Sequence, residues 1–195
     1  MDLLYTANSP YARVARTCAL ELAIKVEFLL VAVRDAADLL LEYNPAGKVP
    51  SLQLDDGRVL GECRLICEHF ASIAGTRFTA PVTDLDGRCR EGLVSGFLDG
   101  VAVWVREARR DRSEQSPGIL RLEHERARRC LAHFEQHWEA GSVHVDYASV
   151  ALASAIGLVD SRLQTEWRQR CPKLVRWFET ISDRPSLRAT APLQV

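Results

Sequence analysis

The sequence has 195 residues, of which 47% are hydrophobic, so the chain can form one large domain or two small ones with a sizeable core. Its 25 Lys and Arg residues balance 26 Asp and Glu residues, which excludes a strong overall attraction to nucleic acid or to an anionic membrane. The longest charge-free apolar segment, Tyr147–Val159, is too short to span a bilayer, which needs about 20 residues.

The cysteines and the first residues of the chain predict a cytoplasmic location. No basic, then apolar, signal-peptide pattern follows Met1. The six cysteines form no Cys-x-x-Cys pair, which argues against a zinc ribbon or a dithiol centre. We expect free thiols in a reducing compartment and no bound metal.

The first elements alternate between strand and helix. Asp2–Thr6 is a short apolar strand, and Ser9 followed by Pro10 is typical of a helix start, with a capping residue before a proline at the first helical position. Apolar residues then recur at helical spacing. These residues are Val14, Ala15, Cys18 and Leu22.

A second strand and a short helix follow. The β-branched and aromatic residues of Val26–Val33 predict a strand. Ala36–Tyr43 is predicted to be a short helix that ends at the turn Asn44–Gly47.

A hairpin and a third helix complete this half. Pro50–Leu54 and Arg58–Leu60 are predicted strands, and the Asp56-Gly57 pair between them is a strong turn signal. A helix is predicted over Glu62–Ala74. The order βαβ, α, ββ, α predicts a small mixed sheet with helices on both faces.

The second half shows helical periodicity and no strand pattern. Tyr147–Val159 is apolar on nearly all sides, which is typical of a helix buried in a bundle, and Pro172 begins a last helix. Three apolar stripes are predicted to face the core. Their members are Leu93, Val94, Phe97, Leu98, Val101 and Val105; Leu120, Ala127, Leu131, Phe134 and Trp138; and Leu174, Trp177, Phe178 and Ile181.

The predicted organisation therefore has two domains. Residues 1–76 form an α/β domain, residues 77–84 form a linker that contains Pro81, and residues 85–195 form an all-helical domain.

Four local motifs, in this order along the chain, resemble those of the glutathione transferase family. They are Ser9-Pro10-Tyr11-Ala12-Arg13, Asn44-Pro45-Ala46-Gly47-Lys48-Val49-Pro50, Gly61-Glu62-Cys63-Arg64-Leu65-Ile66, and the segment from Cys171 to Phe178 with Arg184-Pro185-Ser186. The Asn-Pro-x-Gly-Lys-Val-Pro loop is the most specific. The resemblance covers nearly the whole chain and is nearest to small bacterial members.

The resemblance implies a thioredoxin-like N-terminal domain, an all-α C-terminal domain and a homodimer. It also implies glutathione as co-substrate and an electrophilic small molecule as second substrate. In this interpretation Ser9 is a catalytic residue whose hydroxyl donates a hydrogen bond to the glutathione sulfur, and Arg13 adds positive charge. The alternative for Ser9 is a simple helix cap.

The resemblance implies that the cysteinyl and glycyl parts of glutathione bind next to the loop that contains Pro50. A cis proline at Pro50 would turn the backbone of Val49 outward, so that the tripeptide pairs with it like an added strand. From the sequence alone, a trans proline at the first residue of a strand remains open. Lys48 is a candidate for the glycyl carboxylate, and a solvated loop lysine is the alternative.

Glu62 and Cys63 are the candidates for the γ-glutamyl end. The family has Ser or Thr at the position of Cys63, and a thiol is a weaker donor than a hydroxyl. Two interpretations stay open: Cys63 is a passive replacement, or it is a low-pKa thiol that forms a mixed disulfide with glutathione.

The second-substrate site is expected between the domains. Its candidate residues are Tyr11, Asp99, Val103 and Arg106. Asp146 is interpreted as the cap of the buried helix. His133 and His137 have the i, i+4 spacing of metal ligands, but no third ligand follows at a suitable spacing, so surface histidines are expected.

Two other functions remain open. One is a glutathione-dependent peroxidase or disulfide reductase, although Ser9 stands where disulfide-exchanging members carry Cys. The other is a non-catalytic binding or regulatory protein. The basic clusters Arg106–Arg112 and Arg126–Arg129 are the only support for nucleic-acid binding, and acidic or neutral residues interrupt both, so this partner is not expected.

Overall fold

The computed structural model describes residues 1–32, 38–139, 144–163 and 165–192. The N-terminal part contains β1 (Asp2–Tyr5), α1 (Pro10–Glu21), β2 (Glu27–Leu30), α2 (Asp38–Tyr43), β3 (Ser51–Gln53), β4 (Val59–Gly61) and α3 (Cys63–Ile73). The C-terminal part contains α4 (Leu85–Ala108), a 3₁₀ turn (Arg112–Glu114), α5 (Pro117–His137), α6 (Tyr147–Arg162), α7 (Trp167–Arg170), α8 (Pro172–Ser182) and α9 (Pro185–Ala189).

The four strands form one mixed sheet in the order β2-β1-β3-β4. β1 pairs with β2 in parallel, and β3 pairs with β1 and β4 in antiparallel orientation. Together with α1 and α3, which pack on each other, this is the thioredoxin-like arrangement that the resemblance implies. Every predicted strand and helix of this half is confirmed, although Val33 and residues 36–37 of two predicted elements lie outside the described residues.

The described residues after α3 contain helices and no strand, as predicted. α6 is buried on all sides from Tyr147 to Val159, because it packs against α1, α4 and α8. One stripe residue was predicted wrongly: Leu93 is 38% exposed, whereas its neighbour Val94 is fully buried.

The two halves share polar contacts as well as a core. Arg184 of the C-terminal part donates to Glu21 on α1 over 2.7 Å, and Arg64 on α3 reaches the buried Glu91 on α4 over 2.9 Å. Residues 74–84 connect α3 with α4 through turns, and Phe78 in this segment is buried. In the described segments, no helix combines the length and the apolar character of a membrane span.

Candidate functional site

The strand register brings three connecting segments together at one edge of the sheet. Leu4 near the end of β1 pairs with Ser51 at the start of β3, and Ser51 pairs with Gly61 at the end of β4. Because β3 runs antiparallel to both neighbours, the end of β1, the start of β3 and the end of β4 lie side by side. The segments after β1, before β3 and after β4 therefore all adjoin this edge. The candidate residues in these segments are Ser9, Val49, Pro50, Glu62 and Cys63.

Ser9 is the N-cap of α1, as the sequence predicts. Its backbone is extended and its Oγ accepts the N–H of Ala12 over 3.2 Å, while Pro10 occupies the first helical position. Since the Oγ acts as acceptor in this contact, the hydroxyl hydrogen is left available for donation. The backbone N–H of Tyr11 has no acceptor in the described part of the chain, so α1 starts with an unpaired donor.

Arg13 lies between α1 and the C-terminal helices, and only 7% of its surface is exposed. Its guanidinium donates to the carbonyl oxygen of Leu187 over 3.2 Å and of Ala153 over 3.5 Å, and it has no carboxylate partner among the described residues. Burial, and to a lesser extent the charge of Arg16, lowers the pKa of Arg13 to about 10. Arg13 therefore keeps its positive charge at neutral pH in a poorly solvated position.

Ser9 and Arg13 share a small cavity between α1 and α6. Ser154 of α6 also lines it, and its volume is about 10 Å³, which is roughly the space of one water molecule. Neither Arg13 Nε nor Ser154 Oγ has a hydrogen-bond partner in the described part of the chain, although both atoms are buried. The structure thus brings the two predicted catalytic residues together around an unsatisfied polar cavity.

The loop before β3 exposes the backbone of Val49. The Val49-Pro50 peptide bond is cis, as the resemblance implies. Asn44 holds the loop by donating to the carbonyl of Lys48 over 3.0 Å and to Ser51 Oγ over 2.9 Å. The N–H and C=O of Val49 have no partner among the described residues, and the side chain of Lys48 is exposed. An extended peptide could therefore pair with Val49.

Glu62 caps α3, with a positive φ of 69° and with its Oε2 accepting the N–H of Arg64 over 3.0 Å. The backbone N–H groups of Cys63 and Leu65 have no acceptor in the described part of the chain. These two donors and the Glu62 carboxylate provide partners for an anion and a cation, respectively, at one helix start.

The surroundings of the Cys63 thiol oppose the low-pKa hypothesis. Its residue is 2% exposed, and burial, together with the negative charge of Glu62, raises the pKa of Cys63 to about 12. The start of α3 favours a thiolate, but burial and the Glu62 carboxylate outweigh it. The geometry therefore favours the passive replacement.

Two hydroxyls that sequence reasoning missed lie beside Cys63. Tyr147 Oη at the start of α6 is 3.6 Å from Cys63 Sγ, and Ser95 Oγ on α4 is 3.4 Å from Tyr147 Oη. Tyr147 is 84 residues away from Cys63 along the chain, so no local pattern could have indicated this contact.

The candidate residues for a second substrate come from α1 and α4. Tyr11 on α1 contacts Asp99 on α4 directly, through its hydroxyl. Val103 and Arg106 lie one and two turns further along α4; Val103 is half-buried and Arg106 is exposed. Arg106 is also near enough to Tyr11 to oppose the rise in its pKa. The structure thus brings Tyr11, Asp99 and Arg106 near one another where α1 meets α4.

The remaining predictions concern a cap and a metal. Asp146 caps α6 in a reciprocal capping box with Ser149, which confirms its interpretation as a cap. The rings of His133 and His137 lie 4.5 Å apart, but the described residues contain no group of three or more potential ligands that could hold a metal ion.

A larger cavity of about 690 Å³ lies in the C-terminal part, between α4, α5 and α7. It is lined by Trp104, Leu131 and Trp167 among others, and by none of the predicted site residues. Its size therefore does not identify it as the site that the motifs indicate.

Comparisons with known proteins agree with this geometry. Residues 3–78 match the family model described as the N-terminal domain of glutathione S-transferase. The chain is 29% identical to the uncharacterized GST-like protein YibF of Escherichia coli K12, and the match covers 98% of both chains.

Two solved structures are similar over nearly their whole length. A glutathione S-transferase from Methylobacillus flagellatus KT, solved with glutathione bound, is 30% identical with a TM-score of 0.88, covering 98% of this chain and 99% of that one. A glutathione transferase family member from Pseudomonas fluorescens Pf-5, also with bound glutathione, has the same identity and TM-score and covers 98% of each chain. With this sheet, this helical half and these relatives, the chain belongs to the glutathione transferase family.

Proposed function

We propose that this protein binds glutathione and stabilises its thiolate for attack on an electrophilic small molecule. The observation that carries the proposal is the sheet edge at which the start of α1, the open backbone of Val49 and the start of α3 come together. The glutathione bound in two relatives at 30% identity supports the same ligand.

Ser9 acts on the sulfur in this proposal. A free thiol has a pKa of about 8.5, so lowering it by two units requires about 2.7 kcal/mol in favour of the thiolate. A hydrogen bond to a charged group contributes about 1.5–3 kcal/mol, and the start of α1 adds its unpaired N–H. Arg13 adds a positive charge that no carboxylate of the described residues neutralises. Ser9 thus stabilises an anion and is not itself the nucleophile.

The other groups hold the peptide. The N–H and C=O of Val49 pair with the cysteinyl backbone like a neighbouring strand. The carboxylate of Glu62 meets the γ-glutamyl ammonium, and the N–H groups of Cys63 and Leu65 meet its carboxylate. The exposed Lys48 is free to reach the glycyl carboxylate.

The electrophile enters the cleft between α1 and α4. Tyr11 and Asp99 form its wall through their hydrogen bond, and Val103 and Arg106 extend the same face of α4. Because Val103 is apolar and Arg106 is exposed, this wall suits a molecule with an apolar body and a polar or anionic end.

A peroxidase or disulfide reductase is less well supported. Such chemistry needs a reactive thiol, and this chain has Ser9 at the first-helix position and a raised pKa at Cys63. Nucleic-acid binding also lacks support, because Arg126 and Arg128 pair with Glu123 and Glu125 on their own helix. A non-catalytic binding protein would share the glutathione site and differ only in the absence of turnover.

We further propose a homodimer in the cytoplasm. The exposed Leu65 on α3 and Leu93 on α4 provide apolar surface for a second copy. All six cysteines are free, which fits a reducing compartment.

Calorimetric titration with glutathione tests the proposal. We expect binding by the parent protein, binding with thiolate absorbance lost in Ser9→Ala, and equal or tighter binding in Cys63→Ser, whose hydroxyl is the better donor. If the parent protein does not bind at millimolar glutathione, the proposed function is wrong. If it binds but no electrophile is turned over by any variant, the non-catalytic function replaces it.

A further inference from the structure

At the start of α3, where the γ-glutamyl group is proposed to bind, the side-chain donor is the weakly donating thiol of Cys63. The Cys63 thiol donates to Glu62 Oε1 over 3.5 Å, its Sγ lies 3.6 Å from Tyr147 Oη, and the residue is 2% exposed. A thiol donates and accepts weakly, so its orientation depends on the groups around it. Since the raised pKa keeps the thiol protonated, its S–H is the only hydrogen that the side chain can offer.

Tyr147 is fixed at both ends. Its backbone N–H donates to the carbonyl of Phe78 over 2.7 Å, and its side chain is 2% exposed with the hydroxyl near Cys63 and Ser95. Burial, followed by the neighbouring Cys63, raises the pKa of Tyr147 well above its usual value. The phenol therefore remains a neutral donor at any physiological pH.

The side chains of Ser95, Tyr147 and Cys63 can form a hydrogen-bond chain in which each hydroxyl donates to the next group. Ser95 Oγ donates to Tyr147 Oη, and Tyr147 donates to Cys63 Sγ. Accepting a hydrogen bond polarises the thiol, because successive hydrogen bonds in a chain strengthen one another. With its sulfur engaged by Tyr147, the Cys63 thiol directs its S–H to Glu62 Oε1, at the helix start where two backbone N–H groups lack an acceptor among the described residues. When the ammonium of the ligand takes this Glu62 carboxylate, the S–H can turn to the adjacent carboxylate of the ligand.

We propose that Tyr147, supported by Ser95, positions the Cys63 thiol to donate to the γ-glutamyl carboxylate of glutathione. The hydroxyl pair compensates in part for the missing Ser or Thr at position 63. This inference rests on the proposed function. Tyr147 and Ser95 are positioning residues that act through Cys63 and do not touch the ligand.

The test compares two ligands by calorimetry. The first is glutathione, and the second is 4-aminobutanoyl-cysteinyl-glycine, in which hydrogen replaces the γ-glutamyl carboxylate. Tyr147→Phe should weaken glutathione binding about 3- to 10-fold, the effect of one hydrogen bond, and leave the analogue's Kd within about twofold. In steady-state assays the KM for glutathione should rise while kcat stays the same.

The variants include matched controls. Tyr43→Phe removes a hydroxyl that has no partner in the described part of the chain and should change neither Kd. Ser95→Ala breaks the chain at its other end and should show the same ligand selectivity with a smaller loss. It also keeps the test valid if Tyr147→Phe folds poorly. In a Cys63→Ala background, Tyr147→Phe should have no further effect.

Three results would overturn the inference. Equal losses for both ligands would assign Tyr147 a merely structural role, and unchanged glutathione binding in both Tyr147→Phe and Ser95→Ala would remove the role altogether. In these two cases the parent protein still binds glutathione, so the proposed function survives. A parent protein that binds neither ligand would overturn both.

Discussion

The Tyr11 hydroxyl donates a hydrogen bond to Asp99 Oδ1 over 2.6 Å, which joins the first turn of α1 to the middle of α4. Burial, followed by this hydrogen bond and the charge of Asp99, raises the pKa of Tyr11 above its usual value. The phenol therefore stays protonated at neutral pH, and the contact is kept there.

Removing this contact should affect the second substrate more than glutathione. Tyr11→Phe is expected to lower the free energy of unfolding by about 1 kcal/mol and to raise the KM for the electrophile, because it frees Asp99 and loosens the cleft. The Kd for glutathione should remain the same. Denaturant unfolding and steady-state kinetics check this, with Tyr43→Phe as the matched control. Equal changes in both variants would contradict the prediction.

Replacing Ser9 should separate its two roles. Ser9→Ala removes the helix cap, at about 1 kcal/mol of stability, and the donor to the sulfur, which should lower turnover about 10- to 100-fold. Ser116→Ala is the control for the cap alone, because Ser116 caps α5 through the N–H of Ile119, away from the site. Ser9→Thr should retain most activity. Similar losses of turnover in Ser9→Ala and Ser116→Ala would show that only the cap matters.

A methyl group at position 157 should displace Arg13. A Cβ on Gly157 would lie 2.6 Å from Arg13 Nη1, so Gly157→Ala forces the guanidinium away from the carbonyls of Ala153 and Leu187. We expect a loss of about 1–2 kcal/mol in the free energy of unfolding. The loss should largely disappear in an Arg13→Met background, which a double-mutant cycle measures. An additive cycle would mean that Arg13 is not the obstacle.

Alkaline pH should destabilise the fold through Cys63. Its thiol titrates near the usual pKa of 9.0 in the unfolded chain and at about 12 in the folded one. The unfolded chain therefore loses this proton first. The stabilisation is complete below about pH 9 and declines as the pH rises towards 12, by up to about 1.4 kcal/mol per pH unit.

Urea unfolding of the parent protein and Cys63→Ser, measured from about pH 8 to 10.5, isolates this effect. The variant should lose stability less steeply above about pH 9, since serine does not titrate there. The buried Cys67, whose pKa is raised first by burial, is present in both proteins, and Cys63 adds only a smaller part of that rise. Parallel curves would show that Cys63 titrates normally in the folded state.

The segments that meet at the edge of the sheet could be predicted from the sequence, because their conformations depend on neighbouring residues in the chain. Ser9 before Pro10 is a helix cap whatever surrounds it, and Asp56-Gly57 forms a turn between two short strands. The loop from Asn44 to Pro50 likewise forms hydrogen bonds mainly within itself.

The features that were missed depend on tertiary contacts. The charge of Arg13 is evident in the sequence, but its burial without a carboxylate results from α6 and α9 packing over α1. The raised pKa of Cys63 requires burial in the packed fold, and the hydroxyl beside it comes from Tyr147 at the start of α6. Leu93 follows the apolar period of α4 and is nevertheless 38% exposed, because the period alone does not show which part of a helix its neighbours cover.

The burial of α6 has a consequence for how the molecule unfolds. Every residue from Tyr147 to Val159 is covered, and the covering surfaces come from α1 in the N-terminal half and α4 in the C-terminal half. Neither half can open without exposing this apolar helix to water. We therefore expect one cooperative transition for the whole chain, with the backbone amides of α6 among the slowest to exchange their hydrogen for deuterium.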